Sequence, residues 1–378
     1  SGMLSVRHDG ASIPEVVGKY LGSGFKNFMR AFSVVVLILV GVVFITTPAN
    51  LLASLTPKSL DAKFWVWVIF GYYLLATLLP IDKLIGKIYP IFGICLLIMA
   101  VGVSGGIIFG GYKIPEITLA NLHPKNLPIW PLMFISIACG AISGFHSTQS
   151  PLMARCITTE KQGRAIFYGS MIAEGVVALI WAAAAMAFFG STGELNAQMT
   201  ANGGQGWVVS TISNTLLGKF GGALAILGVV ACPVTSGDTA FRSARLTIAD
   251  FLNFKQGPIK NRLAVTLPLF AIGFILTRID FNILWRYFAW SNQTLAMIVL
   301  WASAMYLALR KQIHWIATVP ATFMTAVSIT YILVAPEGFK LSYSISYPVG
   351  IAVAIGALAV FLTAVNKKMQ AKNTGVNS

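Results

Sequence analysis

Charged residues are scarce in this sequence, and acidic residues are scarcer than basic ones. Only 10% of the residues are charged, with 12 Asp and Glu against 27 Lys and Arg. An ordinary soluble domain carries roughly 25% charged residues. Hydrophobic residues instead make up 56% of the chain, and its mean hydropathy is +0.77. The composition therefore argues against a soluble protein and predicts a single transmembrane domain over residues 1–378.

Cysteines are few, and their spacing is unpaired. The four cysteines lie in or beside apolar segments, at Cys95, Cys139, Cys156 and Cys232. This pattern is typical of packing residues, and it argues against a disulfide framework or a cysteine metal site. No recognised metal-ligand or nucleophile spacing appears elsewhere, so we expect no cofactor and no enzyme activity.

Apolar runs recur along the whole chain. Ten of them are close to the roughly 20 residues that a helix needs to cross a bilayer. We therefore expect an all-α, polytopic helical membrane protein. Its ten spans are predicted at residues 31–48, 63–79, 88–110, 128–150, 165–189, 218–238, 261–278, 283–309, 313–334 and 346–366.

The net charge of +15 is distributed unevenly between the two sides of these spans. With the N-terminus in the cytoplasm, 19 of the Lys and Arg residues fall on the cytoplasmic side and 8 on the other. This split follows the positive-inside rule and predicts cytoplasmic N- and C-termini for the chain. The basic balance thus reflects topology, and we expect no nucleic-acid partner. The most basic cytoplasmic loop is predicted at 242–262. Residues 245–252 within it have helical apolar spacing, which favours a helix along the inner interface. A short outer helix or lid is predicted within 190–217.

A polar stretch broken by glycine, Gly140-Ala-Ile-Ser-Gly-Phe-His-Ser-Thr-Gln-Ser-Pro151, ends the apolar run that starts near Pro128. Unwound backbone is costly in hydrocarbon unless it lines a polar cavity, and transporters use such broken helices to bind substrates and ions. His146 could also exchange a proton near neutral pH. The alternative is a hydrated loop at the cytoplasmic edge. The candidate substrate-binding residues here are Ser143, His146, Ser147, Thr148, Gln149 and Ser150.

A second polar cluster, Cys232-Pro-Val-Thr-Ser-Gly-Asp-Thr239, closes the span 218–238. Pro233 removes one helix hydrogen bond and exposes a carbonyl. Thr235, Ser236 and Asp238 gather hard oxygens, the ligand type that suits a small hard cation or a proton relay. The alternative is an ordinary helix end at which Asp238 pairs with Arg242, four residues on.

Two further sites place polar groups inside apolar spans. Glu174 is the only acid between Ala165 and Phe189, so it must be paired, protonated or facing a cavity. Its role is either ion coupling or a structural bond to a neighbouring helix. Asn292 and Gln293 are candidate substrate contacts, although buried amides also serve to join helices, which is the more conservative interpretation.

Four segments together resemble the carbon starvation protein A family of bacterial inner-membrane carriers, which are linked to uptake of peptides and pyruvate. The resemblance covers nearly the whole chain. Residues 5–15 also resemble a family segment, but one that normally follows at least two earlier membrane helices. We therefore expect that the first core helices of the family are missing from this sequence. The four segments are Gly144-Phe-His-Ser-Thr-Gln-Ser-Pro151, Met171-Ile-Ala-Glu-Gly175, Pro233-Val-Thr-Ser-Gly-Asp-Thr239 and Trp285-Arg-Tyr-Phe-Ala-Trp-Ser-Asn-Gln293.

The resemblance implies a LeuT-like fold of two inverted five-helix repeats, as in the amino acid–polyamine–organocation superfamily. The span 128–150 would then be the broken first helix of the second repeat, and 218–238 its third helix. Thr235 and Ser236 would occupy positions where sodium-coupled relatives bind the cation. The nearby carboxylates of Asp238 and Glu174 favour a proton over sodium as the coupling ion.

The sequence therefore predicts a multi-pass protein of the bacterial inner membrane that acts as a secondary active transporter. Its partners would be membrane lipid, a coupling cation and a small substrate, either a carboxylate such as pyruvate or short peptides. The alternatives are a nutrient-sensing receptor subunit or a membrane-embedded enzyme. The oligomeric state is left open.

Overall fold

The computed structural model describes residues 1–78, 81–116, 118–202 and 204–373, and the regular elements within these ranges are all helical. A six-residue π-helical turn, Arg164–Gly169, leads directly into α8. The α-helices, numbered in chain order, are α1 Gly2–Val6, α2 Ile13–Leu21, α3 Ser23–Leu55, α4 Ala62–Leu78, α5 Ile81–Phe109, α6 Ile129–Ala141, α7 Gly144–Ala154, α8 Ser170–Phe189, α9 Thr192–Ala201, α10 Gln205–Phe251, α11 Ile259–Leu276, α12 Phe281–Leu309, α13 Trp315–Val334 and α14 Tyr343–Asn373.

Within the described ranges, eight helical segments are long and apolar enough to cross a membrane, which makes this a multi-pass membrane protein. They lie in α3, α5, α8 and α10 to α14. The predicted span 63–79 corresponds to α4, a shorter apolar helix. The predicted span 128–150 corresponds to α6 and α7 together, each of which is too short to cross alone. Every predicted span therefore has a helical counterpart, and the LeuT-like arrangement of the spans stays a prediction.

The chain divides into two compact units, which are described separately below. Unit 1 comprises Ser1–Leu37, Pro128–Met171 and Asn282–Ser378. Unit 2 comprises Ile38–Leu127 and Ile172–Phe281. The four divisions fall within α3, just before α6, near the start of α8 and at the start of α12.

Unit 2 is built on the antiparallel contact between α5 and α10. Gly228 of α10 packs on the backbone of Leu96, and Gly102 of α5 packs on the side chain of Leu217. Small residues at such crossings allow two helices to approach closely, which is how membrane helices gain packing energy in lipid. An aromatic cluster from α4, α10 and α11, including Phe70, Phe241 and Phe270, fills the rest of this interior.

Unit 1 is built on α12, α13 and α14, with α6 packed against α13. Trp130 and Phe134 of α6 both meet Phe323 of α13, at ring-centroid distances of 5.4 and 5.1 Å. Trp290 of α12 donates a hydrogen bond to the backbone carbonyl of Ser328 on α13, at 3.0 Å. These contacts use the apolar body and the polar tip of each indole, as buried tryptophans usually do.

The N-terminal helices of unit 1 are amphipathic rather than wholly apolar. Pro14 lies in the first turn of α2, where its missing N–H costs nothing. Glu15 on α2 bonds Lys26 at 2.6 Å and Arg30 at 2.5 Å on α3. Partial burial raises the pKa of Glu15, but hydrogen bonds from the two cations outweigh that effect and leave the pKa lowered. The charge of Glu15 is therefore compensated locally, although basic residues outnumber it in this helix pair.

The predicted cytoplasmic loop at 242–262 is wrong in its boundaries. The helix predicted to end at residue 238 continues to Phe251, and α11 begins at Ile259, so that only residues 252–258 form the connection. No Gly or Pro interrupts residues 239–251, and the charge of Arg242 is compensated within the helix by Asp238. The helical turn expected within 190–217 is present as α9 and the first part of α10, which ends at Gly218 with φ 67°.

The packing of Gly228 on Leu96 generates a prediction about stability. A Cβ at Gly228 would lie 3.2 Å from the Leu96 Cα, so a larger side chain must push α5 away from α10. We expect Gly228→Leu to cost about 1–3 kcal/mol, the usual range for overpacking. The measurement is thermal unfolding of the detergent-purified full-length protein. Gly71→Leu on α4 is the control, because a Cβ there meets nothing within 4 Å. Equal losses in both variants would contradict this account.

Candidate functional site

The polar stretch 140–151 forms a true break in a helix of unit 1. α6 ends at Ala141 and α7 begins at Gly144, with Ser143 between them in an extended conformation at φ −105° and ψ 130°. A break of this kind leaves backbone groups at both half-helix ends without their usual partners. It also turns the positive end of the α7 dipole toward the gap. The predicted interruption is therefore present, and its backbone groups need partners from elsewhere.

Asn292 of α12 supplies a partner for one of these backbone groups and for the Ser143 side chain. Its Oδ1 accepts a hydrogen bond from the backbone N–H of Phe145 at 2.7 Å and from Ser143 Oγ at 3.3 Å. Its Nδ2 donates to Ser143 Oγ at 3.0 Å. Asn292 is completely buried and Ser143 nearly so. The amide thus caps the first turn of α7 from a helix that is distant in sequence.

Gly144 allows this capping because it lets α7 approach the backbone of α12. A Cβ at Gly144 would overlap the carbonyl oxygen of Asn292 and the side chain of Leu295. Any other residue at this position would push α7 out of reach of the Asn292 amide. The glycine of the motif therefore has a packing role as well as a helix-breaking one.

The other three hydroxyl groups predicted to bind substrate bond within α7. Ser147 donates to the Gly144 carbonyl at 2.6 Å, Thr148 to the Phe145 carbonyl at 2.7 Å, and Ser150 to the Ser147 carbonyl at 3.1 Å. Their hydrogens are used locally, but each oxygen keeps a lone pair that can accept a further bond. Ser147 and Ser150 are buried, whereas Thr148, Gln149 and His146 are half-buried.

The last turn of α7 is held by the N-terminal segment of unit 1. Arg155 Nε donates to the backbone carbonyl of Gly10 at 3.0 Å. Gly10 has φ 73°, and a Cβ there would collide with the Arg155 side chain. Arg7 forms an ion pair with Glu160 just beyond α7. The half-helix is therefore fixed at both ends, by Asn292 at its start and by residues 7–10 at its end.

In unit 2, Asp238 lies inside α10 rather than at its end. Its carboxylate is 2% exposed and pairs with Arg242 Nη2 at 3.0 Å, which is the alternative that the sequence left open. The hydroxyl of Tyr89 on α5 donates to the same carboxylate at 3.4 Å. Arg242 also donates to the Ala76 carbonyl at 3.2 Å. The buried charge of Asp238 is thus compensated by a guanidinium and a phenol.

The remaining ion-coupling candidates do not converge on Asp238. Thr235 donates to the Cys232 carbonyl at 2.9 Å and lines a cavity of about 330 Å³ that Tyr72 and Tyr89 also line. Ser236 is half-buried, and Glu174 is exposed on α8. Within the described ranges, no group of three or more His, Cys, Asp or Glu side chains lies close enough together to hold a metal ion. Tyr89 is the residue that connects the Thr235 cavity with Asp238.

Two polar groups were not predicted: Tyr89, which belongs to the Asp238 site, and Glu337, which forms a separate ion pair in unit 1. Tyr89 stands next to Pro90 inside an apolar span, and the tyrosine hydroxyl was the only sign of a polar role there. Glu337 follows α13, and its buried carboxylate binds Arg286 at 3.0 Å and the Tyr331 hydroxyl at 2.6 Å. It is the only acid between Asp280 and the end of the chain, which is the signal that could have identified it.

Comparison with known proteins points in one direction. Residues 58–214 match the carbon starvation protein CstA family. An uncharacterized membrane protein of Haemophilus influenzae is 40% identical over 240 residues, which cover 50% of this chain and 65% of that protein. The peptide transporter CstA of Escherichia coli is 25% identical over 340 residues, covering 70% of this chain and 48% of that protein.

The pyruvate/proton symporter BtsT of Escherichia coli is 28% identical over 120 residues, which cover 30% of this chain and 17% of that protein. The matched regions thus span less than two thirds of each of these three relatives.

The capping role of Asn292 is testable through stability. Asn292→Ala leaves the Phe145 N–H and the Ser143 hydroxyl buried without their partner, which should cost about 1–3 kcal/mol for each group. We expect a clear drop in the thermal unfolding temperature of the full-length protein in detergent. Asn214→Ala is the control, because Asn214 is exposed and bonds only to Ser210 in the preceding turn. If the two variants lose the same stability, Asn292 does not hold the break.

Proposed function

Because the chain belongs to the carbon starvation protein CstA family, we propose that it is a secondary active transporter importing a small carboxylate or short peptides by alternating access. Among carboxylates, the substrate that we propose is pyruvate. The observation that carries the proposal is the break between α6 and α7, which is capped from α12 by Asn292. Membrane proteins keep non-helical backbone at such depth where it serves a binding site, and half-helix N-termini favour anionic groups.

The candidate substrate-binding residues fall into two groups according to how exposed they are. Ser143, Gly144 and Asn292 position the break, and they are too deeply buried to reach a solute first. Ser147, Ser150 and Gln293 are likewise buried and support the half-helix. His146, Thr148 and Gln149 are half-buried on α7 and are the residues that we propose to contact substrate. A carboxylate there would meet the positive end of the α7 dipole.

We propose a proton as the coupling ion, with sodium at Thr235 and Ser236 as the alternative. The Asp238 carboxylate is engaged by Arg242 and Tyr89, so it does not join the Thr235 hydroxyl in a set of cation ligands. Tyr89 touches both Asp238 and the cavity beside Thr235, which supports a proton route from that cavity to the carboxylate. The name of the Escherichia coli pyruvate/proton symporter supports the same choice.

Receptor and enzyme functions remain alternatives of lower weight. Two of the reported relatives carry transporter names, and the described part of the chain holds no grouping of metal-ligating side chains. A receptor would bind the same solutes without accumulating them. Accumulation against a gradient is therefore the property that separates the three classes.

The first test is uptake into proteoliposomes by the full-length protein. Labelled pyruvate and a labelled dipeptide would each be offered under an imposed proton gradient and, separately, an imposed sodium gradient. We expect uphill accumulation of pyruvate driven by the proton gradient. Accumulation with sodium alone would move the coupling site to Thr235 and Ser236. Specific binding of either solute to folded protein with no accumulation would instead support the receptor.

The role of Asp238 is tested in the same assay. Asp238→Asn should abolish accumulation, but it also leaves Arg242 buried and unpaired, which costs about 3–5 kcal/mol of stability. The double variant Asp238→Asn with Arg242→Gln removes both charges and isolates the coupling role from this cost. Asp250→Asn is the matched control, because Asp250 lies exposed on the same helix. Full accumulation by a folded double variant would remove Asp238 from the mechanism.

Exchange measurements separate a proton carrier from a substrate contact at His146 and Glu174. A variant in which the proton-carrying residue has been replaced can still exchange labelled for unlabelled substrate, because exchange needs no net proton movement. We expect Glu174→Gln to keep exchange and lose accumulation if Glu174 carries the proton, and His146→Gln to lose both if His146 contacts substrate. The opposite pattern would assign the proton to His146. Unchanged accumulation in both variants would exclude both residues as carriers.

A further inference from the structure

A long apolar groove runs along α14 in unit 1. It has a volume of about 470 Å³ and is lined by side chains of α12, α13 and α14, with Tyr20 and Phe25 at one end. Along α14 the lining extends from Val353 to Lys368. None of the substrate or coupling candidates lies in its walls. The groove therefore needs an explanation of its own.

The groove is somewhat longer than the hydrocarbon thickness of one membrane leaflet. Val353 and Lys368 are separated by four helical turns, or about 22 Å at 1.5 Å per residue. Half of a bilayer's hydrocarbon core is about 15 Å thick, so an alkyl chain entering at the Lys368 end would remain in one leaflet for much of the groove. Only 22% of the apolar window of α14 is buried, which leaves this helix open to its surroundings.

The floor of the groove offers hydrocarbon and almost no hydrogen-bonding capacity. The rings of Trp301 and Phe361 pack with their centroids 5.1 Å apart. The Trp301 indole N–H is already bonded to Thr325 Oγ1 at 3.1 Å, and Thr325 donates in turn to the Ala321 carbonyl at 2.7 Å. A polar solute would find no partners among these groups, whereas an alkyl chain needs none.

The Tyr20 end of the groove is basic. Lys368 Nζ donates to the Tyr20 carbonyl at 2.9 Å and retains two further N–H donors. Arg310 stacks on Tyr306 at 4.9 Å, and Tyr306 packs edge-on against Tyr20 at 5.6 Å. The nearby acid Glu15 is engaged by its own two cations on α3. The end is therefore complementary to an anion at the mouth of an apolar channel.

We propose that this groove binds one acyl chain of an anionic phospholipid, whose phosphate lies against Lys368. The apolar length selects an alkyl chain, and the basic end selects the charge of the headgroup. The site would hold α12, α13 and α14 together at the surface of unit 1. This inference does not depend on what the protein transports.

The test uses the delipidated full-length protein in detergent. Phosphatidylglycerol and phosphatidylcholine with identical acyl chains are added separately, and bound lipid is counted by native mass spectrometry alongside the thermal unfolding temperature. We expect phosphatidylglycerol to be retained at a defined stoichiometry and to raise the unfolding temperature by several degrees more than phosphatidylcholine does.

Two variants separate binding of the acyl chain from recognition of the headgroup. Ala357→Phe fills the groove and should abolish the retained lipid of either type. Lys368→Glu should reduce retention of phosphatidylglycerol to the level of phosphatidylcholine. Ala359→Phe, on an exposed position of the same helix, and Lys255→Glu, on an exposed loop, are the matched controls and should leave retention unchanged.

Three results would overturn the proposal. One is retention of phosphatidylglycerol by Ala357→Phe equal to that of the parent protein, with both shown to be folded by their lipid-free unfolding temperatures. A second is no preference between the two lipids in the parent protein. The third is a change of oligomeric mass in Ala357→Phe, which would assign the groove to contact with a second copy of the chain.

Discussion

The break between α6 and α7 depends on Asn292, which bonds the Phe145 N–H in the first turn of α7 and the Ser143 side chain. Lipid offers no hydrogen bonds, so each backbone group released by an interrupted helix needs a partner within the protein. One amide on α12 provides for both Ser143 and the Phe145 N–H. This explains why a largely apolar helix carries Asn292 at a fully buried position. It also explains Gly144, since only a glycine leaves room for the two backbones to meet.

This requirement changes how the polar motif is understood. Residues of one motif need not share one role, because a broken helix must be supported before it can bind anything. Ser143 and Gly144 belong to the support, together with Asn292, while His146, Thr148 and Gln149 keep part of their surface accessible. A substitution in the support would weaken transport through the position of α7, and one in the accessible group would weaken it through substrate contact. The two effects differ in their consequences for stability.

The sequence was sufficient for the helices and the break, and insufficient for the partners. Apolar runs of about 20 residues predict membrane-spanning helices, because a helix satisfies its own backbone hydrogen bonds in hydrocarbon. The glycines Gly140 and Gly144 predict an interruption of such a helix. Asn292 and Ser143 are 149 residues apart in the sequence, and no local sequence pattern predicts such a pairing. The continuation of α10 was missed because the basic residues after Asp238 suggested a loop. The i to i+4 pair of Asp238 and Arg242 compensates that charge and lets the helix proceed.

The same ion pair bears on coupling. A buried pair adds little net stability, since removing both charges from water offsets their attraction. Packing alone therefore gives no reason for Asp238 and Arg242 in the interior of unit 2, where apolar residues would pack as well. A carboxylate that exchanges a proton needs a compensating cation when it is charged and a neutral partner when it is not. Arg242 supplies the first, and the Tyr89 hydroxyl, which can donate or accept, supplies the second. The pair also opposes protonation of Asp238, because a neutral carboxyl group would leave the buried Arg242 without its counter-charge, and the coupling role of Asp238 therefore stays a proposal.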